Sequence, residues 1–295
     1  MSRKWGIILL VCAAVFANTL GNSFHYDDEH SIQSNINVRD VANIPSFFTT
    51  PGMFSRDADK GMYRPLLLVT YALNYAWGQY EVSGYHVVNI ALHAVNACLL
   101  SWLCMLLHGR GRASFLCGLL FAVYPLATEP VNYISSRSES LSGLFYLAGI
   151  CFLVRAGTEG LRKYMLASWA ALALGLLSKS TVITLPAVFL AYEWAFATRF
   201  DVKRFLRERF FPWHLIYWGT ALGYLVLIRL NGFLVSSLDN HVRDGSTQLF
   251  TQIKSIAYYA KLLLWPWGLN VEHQFFEHHS GFEAAVVLPG LFLIS

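Results

Sequence analysis

Apolar residues in this chain gather in blocks, at about 5–20, 85–107, 114–128, 139–154, 164–178, 181–197, 213–229 and 284–295. Several blocks approach the roughly 17–25 residues that a helix needs to cross a hydrocarbon core of about 30 Å. The stretch from Tyr164 to Phe196 would reach roughly 50 Å as one helix, which is too long. Two short helices turning at Ser178, Lys179 and Ser180 are predicted instead. The first block, Trp5 to Leu20, follows Arg3 and Lys4 and carries small residues, as a secretory leader does. Because further apolar blocks follow, it is read as a retained span.

Inside the second block His86, Asn89, His93 and Asn96 recur at spacings of 3, 4 and 3, which places them on one stripe of a helix. Such stripes act mostly as interhelical hydrogen-bond glue, at about 0.6 kcal/mol per bond. His86, nearest the outer end, is the member able to reach a ligand.

Composition fixes the solvent. Of 295 residues, 55% are hydrophobic and 14% charged, which excludes a soluble globule and disorder alike. The fold class is therefore an all-α polytopic membrane protein, with residues 1–295 read as a single membrane domain. Nine Trp, fifteen Tyr and 21 Phe suit headgroup interfaces, and the net charge of +4 needs no nucleic acid to account for it. Cys12, Cys98, Cys104, Cys117 and Cys151 all fall in apolar runs and read as small buried hydrophobes.

Lys and Arg are retained on the cytoplasmic side, so their placement orients the chain. Arg3 and Lys4, then Arg110 and Arg112, then Arg155, Arg162 and Lys163, then Arg199, Lys203, Arg204, Arg207 and Arg209 fall in alternate connections. They make up more than half of the 22 cationic residues. The loop 21–63, with six acids against three bases, falls on the opposite side. Arg64 to Gln79 then reads as a helix on the outer leaflet, since a full span there would reverse every later connection.

An ionisable group in a membrane segment costs about 2.5–3.5 kcal/mol near the helix centre, so each one asks for a partner or a task. With this topology Asp27, Asp28, Glu29, Arg64, Glu129, Arg137 and Lys179 share one outer layer. Adjacent Asp27 and Asp28 suit acid–base work, because one ionised acid raises its neighbour's pKa. Arg64, Arg137 and Lys179 suit a phosphate or diphosphate ester. Helix ends that merely snorkel charge into water would explain any one of these residues, but the whole layer less well.

Several blocks carry a resemblance. They are Phe24-His-Tyr-Asp-Asp-Glu-His30; Tyr63-Arg-Pro-Leu66 with Leu73-Asn-Tyr75; Gly84 to Asn96; Leu120-Phe-Ala-Val-Tyr-Pro125 with Glu129; Ile134-Ser-Ser-Arg-Ser-Glu-Ser-Leu141; Gly175-Leu-Leu-Ser-Lys179 with Thr184-Leu-Pro186; and Tyr258 to Pro266. In this order they resemble the membrane domain of the transmembrane-and-tetratricopeptide-repeat O-mannosyltransferases and their bacterial relatives, in the fold-C class of glycosyltransferases. Tyr124 stands where the family commonly has His, and the family's repeat region has no counterpart in the sequence. The chain stops within an apolar run, as a fragment or an unusually short member would.

The resemblance implies inverting transfer of a sugar, mannose among the candidates, from a polyprenyl-phosphate donor to a hydroxyl of a protein or glycan acceptor. It places the base on Asp27 and leaves Asp28 as helper or as ligand of a divalent cation (Mg²⁺ or Mn²⁺); the polar layer itself offers Arg64, His86, Glu129, Arg137 and Lys179 as candidates to bind the substrate. The membrane would be the bacterial inner membrane or the endoplasmic reticulum, with the active face periplasmic or lumenal. A catalytically silent scaffold or lipid-phosphate-binding protein is the alternative. A transporter fits less well, because the polar layer is not at the midplane. Glu272, His273, Glu277, His278 and His279 read as a solvated interfacial loop rather than a zinc site. Lys254, Tyr258 and Lys261 mark one stripe of an amphipathic helix that rests on headgroups or closes over the donor.

Overall fold

The computed structural model describes residues 2–57, 60–233 and 244–270, and every described element is helix, turn or irregular chain. The chain divides into two compact units, residues 1–234 and 235–295. The apolar block 284–295 and the Glu272–His279 cluster lie outside the described residues.

The first unit contains α1 (Ser2–Val15), α2 (Pro65–Gly78), α3 (Val82–His108), α4 (Gly111–Val123), α5 (Thr128–Asn132), α6 (Arg137–Glu159), α7 (Arg162–Leu176), α8 (Leu185–Tyr192) and α9 (Leu215–Leu230). Among the described residues three segments are long and apolar enough to cross a membrane: Val82–His108, Ile134–Glu159 and Ser180–Ala197. α4 with the chain to Asn132 counts as a fourth only as a bent pair, turning by 51°. The block expected at 114–128 is therefore broken. Pro125 forces the break, since the residue before a proline is excluded from the α region, and Tyr124 is extended at ψ 128°. The chain does turn at Ser178, Lys179 and Ser180, with α7 ending before them and a 3₁₀ turn, Ser180–Thr184, following.

α3 packs on α1, α4 and α6, and α6 packs along α7. Close approach is permitted by glycine: a Cβ at Gly118 would lie 2.8 Å from the Ala97 carbonyl, and one at Gly175 2.7 Å from Val182. Leu153, Leu172, Leu185, Phe189 and Tyr217 form the core of the later helices. Four of the five cysteines are buried or half-buried, as expected, but Cys117 is exposed on the outer side of α4.

The loop 21–63 is not an open excursion. It folds into short helical turns, and Ile32, Val38, Phe47 and Phe54 pack against Leu67, Leu68 and Tyr71 of α2. Asn35 pins it from within, its buried amide donating to the carbonyls of Ser31, Met53 and Phe54.

The stripe on α3 works largely as glue. Asn89 donates to the Val131 and Tyr133 carbonyls, Asn96 to the Ser140 carbonyl, and His93 bonds the Ala122 carbonyl while stacking on Phe121. Asn89 also accepts from a charge deep in the bundle. Arg137 is fully buried and forms no ion pair among the described residues. Its Nε donates to Asn89 Oδ1 at 2.7 Å, Nη1 to Asn74 Oδ1 at 2.6 Å and to Thr70 Oγ1 at 3.1 Å, and Nη2 to the Tyr85 carbonyl at 2.9 Å. The rings of Tyr71 and Tyr85 lie 5.0 and 5.7 Å from the guanidinium.

The second unit's described part is α10 (Gly245–Leu264), capped by the Asp244 carboxylate, which accepts from Thr247 N–H. Lys254, Tyr258 and Lys261 are partly or fully exposed on it, and Trp265 and Trp267 beyond it are exposed.

Arg137→Ala removes the donor that Asn74, Asn89, Thr70 and the Tyr85 carbonyl share and should destabilise the bundle by about 3 kcal/mol. Asn96→Ala, which removes one neutral interhelical bond, should cost about 0.6 kcal/mol. Thermal unfolding in detergent compares them, and equal effects would refute the special weight given to Arg137.

Candidate functional site

The first unit holds a cavity of about 390 Å³, lined by Asp27, His30, Phe54, Lys60, Arg64, Tyr71, Tyr133, Ser135, Ser138, Glu139 and Lys179, among others. Three of the seven residues expected in the site, Asp27, Arg64 and Lys179, therefore line one space, although they are far apart in sequence. Three elements bring them there. Asp27 sits on the turn that opens the loop cap, Arg64 precedes α2, and Lys179 lies on the bend after α7, where Leu66 N–H donates to the Leu177 carbonyl at 3.1 Å.

The two adjacent acids have different surroundings. Asp27 is 63% exposed. Its backbone N–H donates to the Tyr133 hydroxyl at 2.9 Å, and Tyr26 before it has a φ of 49°, a left-handed conformation that non-glycine residues rarely adopt. Asp28 is 1% exposed. Its Oδ1 accepts from the Ser135 N–H and hydroxyl, and its Oδ2 accepts from the His25 N–H. Burial pushes the Asp28 carboxyl up, and those hydrogen bonds pull it back down. The cause of the rise is desolvation rather than the charge of a neighbouring acid.

The cations also differ. Arg64 is half-buried, donates from Nη1 to Ser138 Oγ at 3.1 Å and lies over the Phe54 ring. Burial lowers it from the usual arginine range, opposed by nearby tyrosines and by Asp27, but a guanidinium stays charged. Lys179 pairs with Glu139. Burial and the neighbouring Arg64 push the lysine down to about 8, and Glu129 opposes them.

The remaining expected residues stand outside the cavity. Arg137 lies inward of it behind Tyr71, its donors taken up by α2 and α3. Glu129 is exposed and accepts from Ser136 Oγ at 3.3 Å. His86 is fully buried, and neither ring nitrogen completes a hydrogen bond among the described residues. Glu139, Tyr133 and His30 line the cavity without having been singled out. For His30 a signal existed, since it follows Asp27 by three residues. Glu139 gave none, because its partner lies 40 positions away.

A divalent cation would need several oxygen ligands converging on one point. Both Asp28 oxygens are engaged by neutral donors, and the described residues contain no group of three or more His, Cys, Asp and Glu side chains able to hold a metal ion. The described residues do not fit such an ion.

Over 204 residues, 65% of its length, the chain is 32% identical to Protein O-mannosyl-transferase tmtc2 of Xenopus laevis. Over 271 residues, or 85%, it is 27% identical to Protein O-mannosyl-transferase TMTC2 of Homo sapiens. Over 296 aligned positions, or 89%, it is 29% identical to Protein O-mannosyl-transferase Tmtc2 of Drosophila melanogaster. Across most of its length the chain is similar to these protein O-mannosyl-transferases. It spans 23%, 32% and 30% of those three proteins, about a quarter to a third of the curated relatives it matches. No family model matches the chain. No solved structure matches it either.

The lysine carries its charge below about pH 8 and loses it above. Affinity for a short-chain prenyl phosphate, followed by calorimetric titration, should therefore fall as pH rises through about 8, and Lys179→Arg should remove that fall. A flat profile in the unaltered protein would take Lys179 out of phosphate binding.

Proposed function

We propose that this chain is the membrane part of a glycosyltransferase that moves a sugar, mannose by analogy with its relatives' names, from a polyprenyl-phosphate donor to a Ser or Thr hydroxyl of a protein. The supporting observation is the cavity that holds an exposed carboxylate, Asp27, together with two cations, Arg64 and Lys179. Arg64 offers a planar fork to the donor phosphate and Lys179 a compact charge. Asp27 takes the acceptor's proton as its oxygen attacks the anomeric carbon, and the bond to the phosphate oxygen breaks with its electron pair leaving on the lipid phosphate. One displacement inverts the anomeric centre. Asp28 fixes the turn that carries Asp27, and Arg137 fixes α2 behind Arg64. The site faces the lumen or periplasm, opposite the basic connections.

A second reading, a silent lipid-phosphate-binding protein, draws on the Lys179–Glu139 pair, which already neutralises one cation. Turnover separates the two. With a panel of polyprenyl-phosphate sugars and a Ser/Thr peptide, the purified protein should release polyprenyl phosphate. Asp27→Asn should lower release by about 10²-fold or more while leaving donor affinity within about twofold. Asp28→Asn should also destabilise the protein by about 1–2 kcal/mol, because its new NH₂ group meets either the Ser135 or the His25 N–H. Asp27→Asn protein that turns over normally would sink the assignment of the base.

Orientation has its own test. In a cysteine-free background, single cysteines at Asn43 and Ser135 should react with an impermeant thiol reagent from the lumenal or periplasmic side, whereas those at Gly111 and Thr198 should not. Labelling of Asn43 and Gly111 from the same side would reverse the topology.

A further inference from the structure

His30 lines the same cavity as Asp27, one helical turn further along the chain. Its Nε2 lies 3.2 Å from Asp27 Oδ1, and its Nδ1 lies 2.9 Å from Ser55 Oγ. Ser55 Oγ in turn accepts the Asp57 N–H at 2.9 Å. The ring is largely enclosed, at 13% exposed, whereas the carboxylate it touches is 63% exposed.

These contacts admit one assignment of hydrogens for a neutral ring. An ionised carboxylate only accepts, so Nε2 carries the hydrogen and donates to Asp27. Nδ1 is then an acceptor, and the Ser55 hydroxyl, which already accepts from Asp57, donates to it. The second histidine hydrogen bond fixes which nitrogen serves the first. The chain from Asp57 through Ser55 and His30 ends on Oδ1, leaving the lone pairs of Oδ2 for the acceptor. The carboxylate is exposed and stands on a turn entered through the left-handed Tyr26, and among the described residues its side-chain hydrogen-bonding neighbours are His30 and the Tyr133 hydroxyl. The other charged groups facing the cavity, Lys60, Arg64, Glu139 and Lys179, sit on different elements, and no hydrogen bond joins them to Asp27.

The geometry points to His30 as a positioning residue for the transfer: it holds Asp27 Oδ1 so that Oδ2 meets the acceptor hydroxyl. This rests on Asp27 being the base. In this role His30 acts through Asp27 rather than on the sugar or the phosphate. It raises the fraction of encounters in which the proton passes from the acceptor oxygen to Oδ2 as that oxygen bonds the anomeric carbon and the phosphate oxygen departs. Misplacement of a reacting group by about 1 Å is enough to cost on the order of 10²-fold in rate.

The test uses the full chain in detergent with a polyprenyl-phosphate sugar and a Ser/Thr peptide. His30→Ala should lower kcat by about tenfold or more and leave the donor KM within about twofold. His30→Gln, whose amide N–H replaces the Nε2–H, should recover most of the loss. Ser55→Ala, which removes the hydrogen donated to Nδ1, should lower kcat by less than His30→Ala. Unchanged kcat in His30→Ala overturns the proposal. So does a Gln variant no better than Ala with donor KM and melting temperature shifted alongside kcat, because that pattern marks a purely structural residue. If Asp27→Asn retains turnover, the assignment of the base falls whatever His30 does. If Asp27→Asn is inactive and His30→Ala is unimpaired, only the role of His30 falls.

Discussion

A single buried cation, with no ion pair among the described residues, organises the helices around the cavity. Arg137, shut away from water, is expensive to bury, and only a full set of well-placed acceptors offsets that expense. Those acceptors come from two other helices: Thr70 and Asn74 on α2, Tyr85 and Asn89 on α3. The demand runs both ways, because Asn74, Tyr85 and Asn89 are buried too. α2, α3 and α6 are therefore locked in mutual register by one residue. The cavity wall follows from that register, since Arg64 immediately precedes α2, and Ser138 and Glu139 lie next to Arg137 on α6.

The same logic separates two kinds of charge in the polar layer. Asp28 and Arg137 have their hydrogen-bonding capacity taken up by the protein and act as fasteners. Asp27, Arg64 and Lys179 keep one side toward the cavity. Charge at a membrane boundary is thus spent partly on holding the fold and partly on leaving a few groups available, and the hydrogen-bond inventory of each side chain tells which is which.

Much of this was written in the chain. Blocks of apolar residues gave the long helices, the length limit of a bilayer gave the turn at Ser178 to Ser180, and the 3-4-3 spacing on α3 gave its bonding stripe. Helix α2 falls where Arg64 to Gln79 was expected, beginning at Pro65, which suits the first turn of a helix. Hydrophobic periodicity could not say which way Arg137 points, since it stands at the first turn of α6, where inward and outward positions look alike in sequence. The cap formed by residues 21–63 was equally hidden, because its apolar residues are spaced by short turns with no single period. Pro125 did announce the broken helix, but its apolar flanks masked the signal. Glu139 reads as one more loop carboxylate until the fold sets Lys179 beside it.

The bond from Asp28 to Ser135 spans 107 positions, and the partner of Lys179 is 40 positions upstream of it. A chain emerging from the ribosome amino-terminus first carries its acids long before the segments that hold them exist. The loop cap has no seat until α6 is in place, and the cavity lacks one of its cations until synthesis has passed Lys179. Assembly of the site is consequently a late event in insertion. Until then an exposed Asp27 stands without the cations that share its cavity, so the order of synthesis itself sets when the groups first meet.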